Sequence, residues 1–230
     1  MENAPVQRQR SPWFYVLLGC GGLAALLCIG SLVFVLFVGK QVKNISDGVS
    51  DPKERQRNAL EQLGALPEGY SVLASVNVFG MMKTTVLSDH PPLADGGLTP
   101  GGRTFNYFRI MANEQNKQTR AFFEGADPEG EGLRRGGIQF DAKAVIKRGE
   151  LNVDGRKLRY VVSRGRMQGQ APGLTNAVLF DCPDEALRIG MWSQEDPAPD
   201  VVPEKLALSD TVADEAQLAR LLKPVNPCGR

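Results

Sequence analysis

Histidine is all but missing from this chain: His90 is the only one. That excludes a histidine-rich metal site, and any acid–base triad would have to recruit this one ring from the loop Asp89-His90-Pro91. The other familiar chemical signatures are missing too. There is no GxSxG elbow, no HExxH and no phosphate-cradling loop ending in Gly-Lys-Ser/Thr. The acidic stretch from Asp127 to Gly132 starts like a calcium loop, but Ile138 stands where a bidentate glutamate is required. No metal and no cofactor is therefore expected. An excess of one charge sign is also absent, the net charge being +1, which gives no ground for a polyanionic partner. Aromatic residues are 7% of the chain and do not interleave with the bases, which argues against nucleic acid.

Cysteine is scarce and unclustered. Of the four, Cys20 and Cys28 fall in an apolar run, whereas Cys182 and Cys228 are far apart in the polar remainder, with neither CxxC nor metal-ligand spacing. In an oxidising compartment Cys182 and Cys228 are candidates for a disulfide; in the cytoplasm they would be free thiols.

The strongest feature present is that apolar run. No charged side chain occurs from Ser11 to Gly39, and residues 13–39 as a helix would extend roughly 40 Å, enough to span a bilayer with some tilt. Leu17-Leu18-Gly19-Cys20 has the look of a lipobox. Cleavage there would leave too short a signal core and an apolar tail on the mature protein, so an uncleaved signal anchor is expected instead. Trp13 and Tyr15 on one side, and Lys40 and Lys43 on the other, are the expected membrane-interface residues. Orientation has two readings. A short tail (residues 1–12) bearing Arg8 and Arg10 before a long anchor suits an exported C-terminal domain, while a literal count of Lys and Arg favours a cytoplasmic one.

Beyond a juxtamembrane linker at residues 40–50, residues 51–230 suffice for one domain with a real core. Asp51-Pro52 starts a helix that Gly64 ends. Period-two patterns then predict strands from Tyr70, over Met81 to Leu87 and over Thr104 to Met111. A short helix from Asn113 to Phe123 comes next, then a loop from Ala126 to Gly137. In ELNVDGRKLRY, Asp154-Gly155 predicts a two-residue type I′ turn, placing Leu151 opposite Leu158, Glu150 opposite Arg159 and Gly149 opposite Tyr160. Lys147 then faces Val162 on the core side, which calls for a bulge near Gly149 or for the outer end of the strand to lie at the sheet edge. Strands at Thr175 to Cys182 and Ala186 to Ser193 and an amphipathic helix from Ser209 to Leu222 complete the set. The expected fold class is α+β: one transmembrane helix, then a domain with a mostly antiparallel, curved sheet of about seven strands and two or three helices covering one face.

Charge is segregated along the chain. Glu131 to Gln170 carries ten bases against four acids, and Asp181 to Gln217 ten acids against two bases. Arg148, Lys157 and Arg159 of the predicted hairpin form a ridge that could hold an anion, a lipid head group, a partner or the acidic segment of the same chain. No catalytic residue can be assigned. The sequence thus points to a membrane-anchored binding or accessory module at a bacterial cell envelope. It would use membrane lipid as one partner and a protein at a sheet edge or the basic hairpin as another. The alternative is a membrane-anchored, hydrolase-like enzyme whose carboxylates converge only in the fold.

Overall fold

The computed structural model describes residues 51–229 apart from 79, 92–98, 100, 113–114, 128–130, 132–133, 135–139 and 168–172. They belong to one of the two units into which the chain divides, Asn44–Arg230. The expected membrane helix, its interface residues Trp13, Tyr15, Lys40 and Lys43, and the linker lie outside the described residues, as does much of the loop from Ala126 to Gly137. Among the described residues no helix is long and apolar enough to cross a membrane.

The fold is α+β. Seven strands form a single antiparallel sheet: β1 (Ser71–Val78), β2 (Met82–Ser88), β3 (Thr104–Ile110), β4 (Phe140–Val153), β5 (Arg156–Met167), β6 (Gly173–Leu179) and β7 (Leu187–Glu195). Their order is β1-β2-β3-β7-β6-β5-β4, two meanders joined where β3 pairs with β7. Among the described residues three α-helices can be bounded, α1 (Pro52–Leu63), α2 (Gln115–Glu124) and α3 (Glu215–Leu222), with a 3₁₀ turn at Pro203–Lys205.

The helices cover both faces of the sheet, not one as expected. Leu63 of α1 and Leu218, Leu221 and Leu222 of α3 pack on Phe105, Tyr107, Tyr160, Val178 and Trp192. Phe122 and Phe123 of α2 pack on the opposite face against Val161, Ala177, Leu179, Ile189 and Met191. The reason lies in the central strands: every residue of β6 and the first seven of β7 are buried, so neither strand has a water-facing side.

The hairpin has the expected register. Leu151 pairs with Leu158, Glu150 with Arg159, Gly149 with Tyr160 and Lys147 with Val162, and the register shifts between Val145 and Lys147. Of the two resolutions for Lys147 the sheet edge is realised, since β4 is an edge strand; the pairing is regular through Gly149, and the bulge lies on the other side of Lys147. Its ammonium reaches past the core to Glu215 of α3. A second shift, between Val72 and Ala74, was not legible. It turns Ser75, rather than a valine, toward α1, where Gln62 donates to Ser75 Oγ at 3.1 Å and Ser75 lies 2.9 Å from Thr85 Oγ1.

The last helix begins later than expected. Asp214 is its N-cap, accepting from Ala216 and Gln217 N–H, and Asp210 before it has a φ of 60°, outside the helical region. Residues 209–213 are therefore a turn, although Val212 still packs in the core.

Candidate functional site

A groove of about 1020 Å³ opens on the face covered by α1 and α3, just above the upper end of the usual range for ligand sites. One wall is the connection from α1 to β1, Leu66 to Tyr70. The other is α3 and the turn after its C-terminus, contributing Gln217, Arg220, Leu221, Lys223 and Pro224. Asp89, Arg103 and Trp192 lie between them, and Asp154 of the hairpin turn stands at one end.

The floor is a locked polar–aromatic set. Trp192 Nε1 donates to Tyr70 Oη at 2.7 Å, giving the buried indole the partner its N–H requires. Burial pushes the Tyr70 phenol up to about 12, outweighing that hydrogen bond. Tyr70 therefore keeps its proton, which no acceptor among the described residues takes. Arg103 lies 5.5 Å from the centroid of the Trp192 ring, a cation–π distance. Its guanidinium donates to Gln217 Oε1 and to the Asp210 carbonyl, both at 2.6 Å. The strand pairing explains the contact: Phe105 is opposite Trp192, so Arg103, two residues earlier, projects from the same face beside the ring.

The electrostatics are balanced, with Glu68, Asp89 and Asp154 facing Arg103, Arg220 and Lys223. Asp89 is engaged from the protein side: its Oδ1 accepts from Arg103 N–H at 2.7 Å and lies 2.7 Å from His90 Nδ1. Such a lining suits a ligand or peptide segment that carries both charges and some apolar surface.

The residues singled out from sequence are placed elsewhere. The hairpin bases do not form a free ridge. Arg159 is paired with Glu124 at 3.0 Å and Asp181 at 2.9 Å, and Lys157 stands 3.6 Å from Glu150. Arg148 lies 5.9 Å from the Phe122 ring centroid and donates to the Phe122 carbonyl at 3.4 Å. Of the partners foreseen for the ridge, the acidic segment of the same chain is the one that Arg159 meets, through Asp181. Asp181 is correspondingly held below the usual carboxylate range: burial acts to raise it, but Arg159 and Arg120 prevail. Cys182 and Cys228 are joined in a disulfide, with Cα atoms 5.2 Å apart.

Tyr70, Arg103, Trp192 and Gln217 were not foreseen as site residues. Each lies on a different element, and no local motif connects them. No protein-family model matches the chain, and no curated protein matches it either.

Proposed function

We propose that this chain is a single-pass, membrane-anchored binding module of the cell envelope, whose exported domain receives a partner segment in the groove between the α1–β1 connection and α3. The observation that carries the reading is the groove itself, about 1020 Å³, with a floor fixed by Trp192, Tyr70 and Arg103 before any partner arrives. Such preorganisation lowers the ordering cost of binding. The apolar run at residues 13–39 supports the anchor. The Cys182–Cys228 bond supports export, because such bonds persist in oxidising compartments.

The test is site-specific photo-crosslinking in the native membrane. A photoreactive residue at Glu68, on the groove rim, should give a discrete adduct that the same residue at Lys157 does not. Arg103→Ala should reduce that adduct severalfold without reducing protein level. Equal adducts at the two positions would refute the groove as the binding surface.

One observation favours an enzyme reading, of a different kind from the converging carboxylates expected of a hydrolase. Asp89 orients His90 Nδ1 at 2.7 Å, the carboxylate–imidazole half of an acid–base relay. The nearby Ser88 hydroxyl, however, accepts from the His90 backbone N–H at 3.2 Å instead of facing the ring. Loss of biological activity in His90→Ala with the Glu68 adduct intact would favour that reading.

A further inference from the structure

The sheet register places three cations in one row. Lys83 of β2 is directly opposite Arg109 of β3, and Arg109 is directly opposite Arg188 of β7. Opposed residues on antiparallel strands stand about 5 Å apart, and like charges there repel. Two carboxylates answer the three cations. Glu61 of α1 lies 2.9 Å from Lys83. Asp184, in the connection between β6 and β7, spans both arginines: its Oδ1 accepts from Arg188 Nη1, and its Oδ2 accepts from Arg188 Nη2 at 2.7 Å and from Arg109 Nη2 at 3.3 Å. Among the described residues the row keeps one positive charge in excess.

Beneath this row lie polar groups sealed from solvent. Tyr107, on the same face two residues from Arg109, is wholly buried. Its hydroxyl, Arg109 Nε and Arg188 Nε are sealed from solvent and have no well-aligned hydrogen-bond partner among the described residues, Arg188 being the neighbour that acts on the hydroxyl. Burial pushes the Tyr107 phenol up to about 12 against the pull of Arg188 and Arg109, so the hydroxyl remains a donor. Buried polar groups without an aligned partner call for an explanation, and a bound ion or ligand is one that a cationic row beside them favours.

We propose that Lys83, Arg109 and Arg188 form a carboxylate-binding site, in which Asp184 is a resident stand-in that an incoming carboxylate displaces. The chemical class comes from Asp184 itself, whose planar carboxylate occupies the Arg188 fork through both oxygens, the geometry in which guanidinium recognises carboxylate. Displacement is feasible because the Asp184 side chain is 46% exposed and its described hydrogen bonds go only to these two arginines. The Cys182–Cys228 bond, two residues away, anchors the connection. The carboxylate can therefore swing out without unravelling the strand ends.

The experiment is a thermal-unfolding titration of the full chain in detergent with sodium succinate, against sodium chloride of matched ionic strength and against sodium phosphate. Asp184→Asn, which removes the stand-in, should give a saturable rise in Tm and lower the half-saturating succinate concentration at least tenfold relative to the wild type. Adding Arg188→Gln should abolish the response. A response no larger than that to chloride, or one that survives Arg188→Gln, overturns the proposal. A stronger response to phosphate overturns the carboxylate assignment. If Asp184→Asn does not fold, the wild type decides: a saturable succinate response that Arg109→Gln removes supports the site, and no such response refutes it.

Discussion

Two glycines of the β4–β5 hairpin should respond to alanine for different reasons and by different amounts. At Gly155, φ is +80° and that of Asp154 is +50°, so the turn requires left-handed backbone at both central positions. A Cβ on Gly155 would meet nothing within 4 Å. Only the backbone penalty remains, and Gly155→Ala should cost about 1–2 kcal/mol. Gly149 has ordinary backbone, but a Cβ there would lie 2.6 Å from the Tyr160 hydroxyl and 2.7 Å from its Cζ. The ring would have to move, although Tyr160 is 1% exposed and donates to Glu215. Overpacking costs ~1–3 kcal/mol, losing a hydrogen bond to a charged group adds ~1.5–3 kcal/mol, and relief of the strand glycine returns ~0.5–1 kcal/mol. Gly149→Ala should therefore destabilise by about 3 kcal/mol. Urea unfolding monitored by Trp192 fluorescence in a Trp13→Phe background measures both. In a Tyr160→Val background, Gly149→Ala should cost less than about 1 kcal/mol, because the obstructing ring is gone. Equal costs for the two glycines, or a Gly149→Ala cost unchanged by Tyr160→Val, would refute this account of how the ring is seated.

Cys228→Ser opens a bond between residues 46 apart and should lower stability by about 4 kcal/mol on the chain-entropy account. Thiol labelling of the denatured soluble fragment, which lacks Cys20 and Cys28, after protease treatment of intact cells checks the compartment: two free thiols in that fragment before reduction, or a protease-protected domain, would contradict export. Acid should weaken the fold through Asp184, whose pKa is lowered from 3.8 to about 2 chiefly by the Arg188 hydrogen bonds. Its folded pKa is depressed, so its contribution is present above about pH 4 and is lost as pH falls toward 2. Glu215, lowered by Lys147 and then Tyr160, adds with the same sign. Asp184→Asn should flatten the stability profile between pH 4 and 2, and an unchanged slope there would count against the arginine fork.

Most of the elements were legible because their signals are local. Asp51-Pro52 and Gly64 bracket α1 with capping chemistry that needs no tertiary partner. Asp154-Gly155 sets the register of the longest strand pair for the same reason. Local pattern and structure part where tertiary packing outweighs local pattern. The bulge between Val72 and Ala74 reverses the outward face of β1 with no glycine or proline to announce it. Residues 209–213 have helical periodicity, but Asp214 captures the first free N–H groups of α3 and so begins the helix after them. The second helix-covered face results from burial on both sides of β6 and β7, which a short apolar run cannot distinguish from burial on one.

The candidate sites were hidden for a related reason. A row across an antiparallel sheet joins residues whose sequence separation depends on strand order, and this order places β7 beside β3. Arg188 thereby comes opposite Arg109, and Trp192 opposite Phe105. One pairing thus builds both the floor of the groove and the cationic row, four residues apart along β7. Every strand that contributes to either site was recognisable alone, but no local signal specifies that the two meanders meet along β3 and β7. Chemistry assembled across that junction becomes readable only with the sheet order. By contrast the hairpin bases, adjacent in sequence and so conspicuous, are largely engaged by acids and an aromatic ring of the same domain. In this fold the visible charge cluster is largely engaged within the domain, whereas the less visible row, with one cation in excess among the described residues, is the place proposed for a carboxylate.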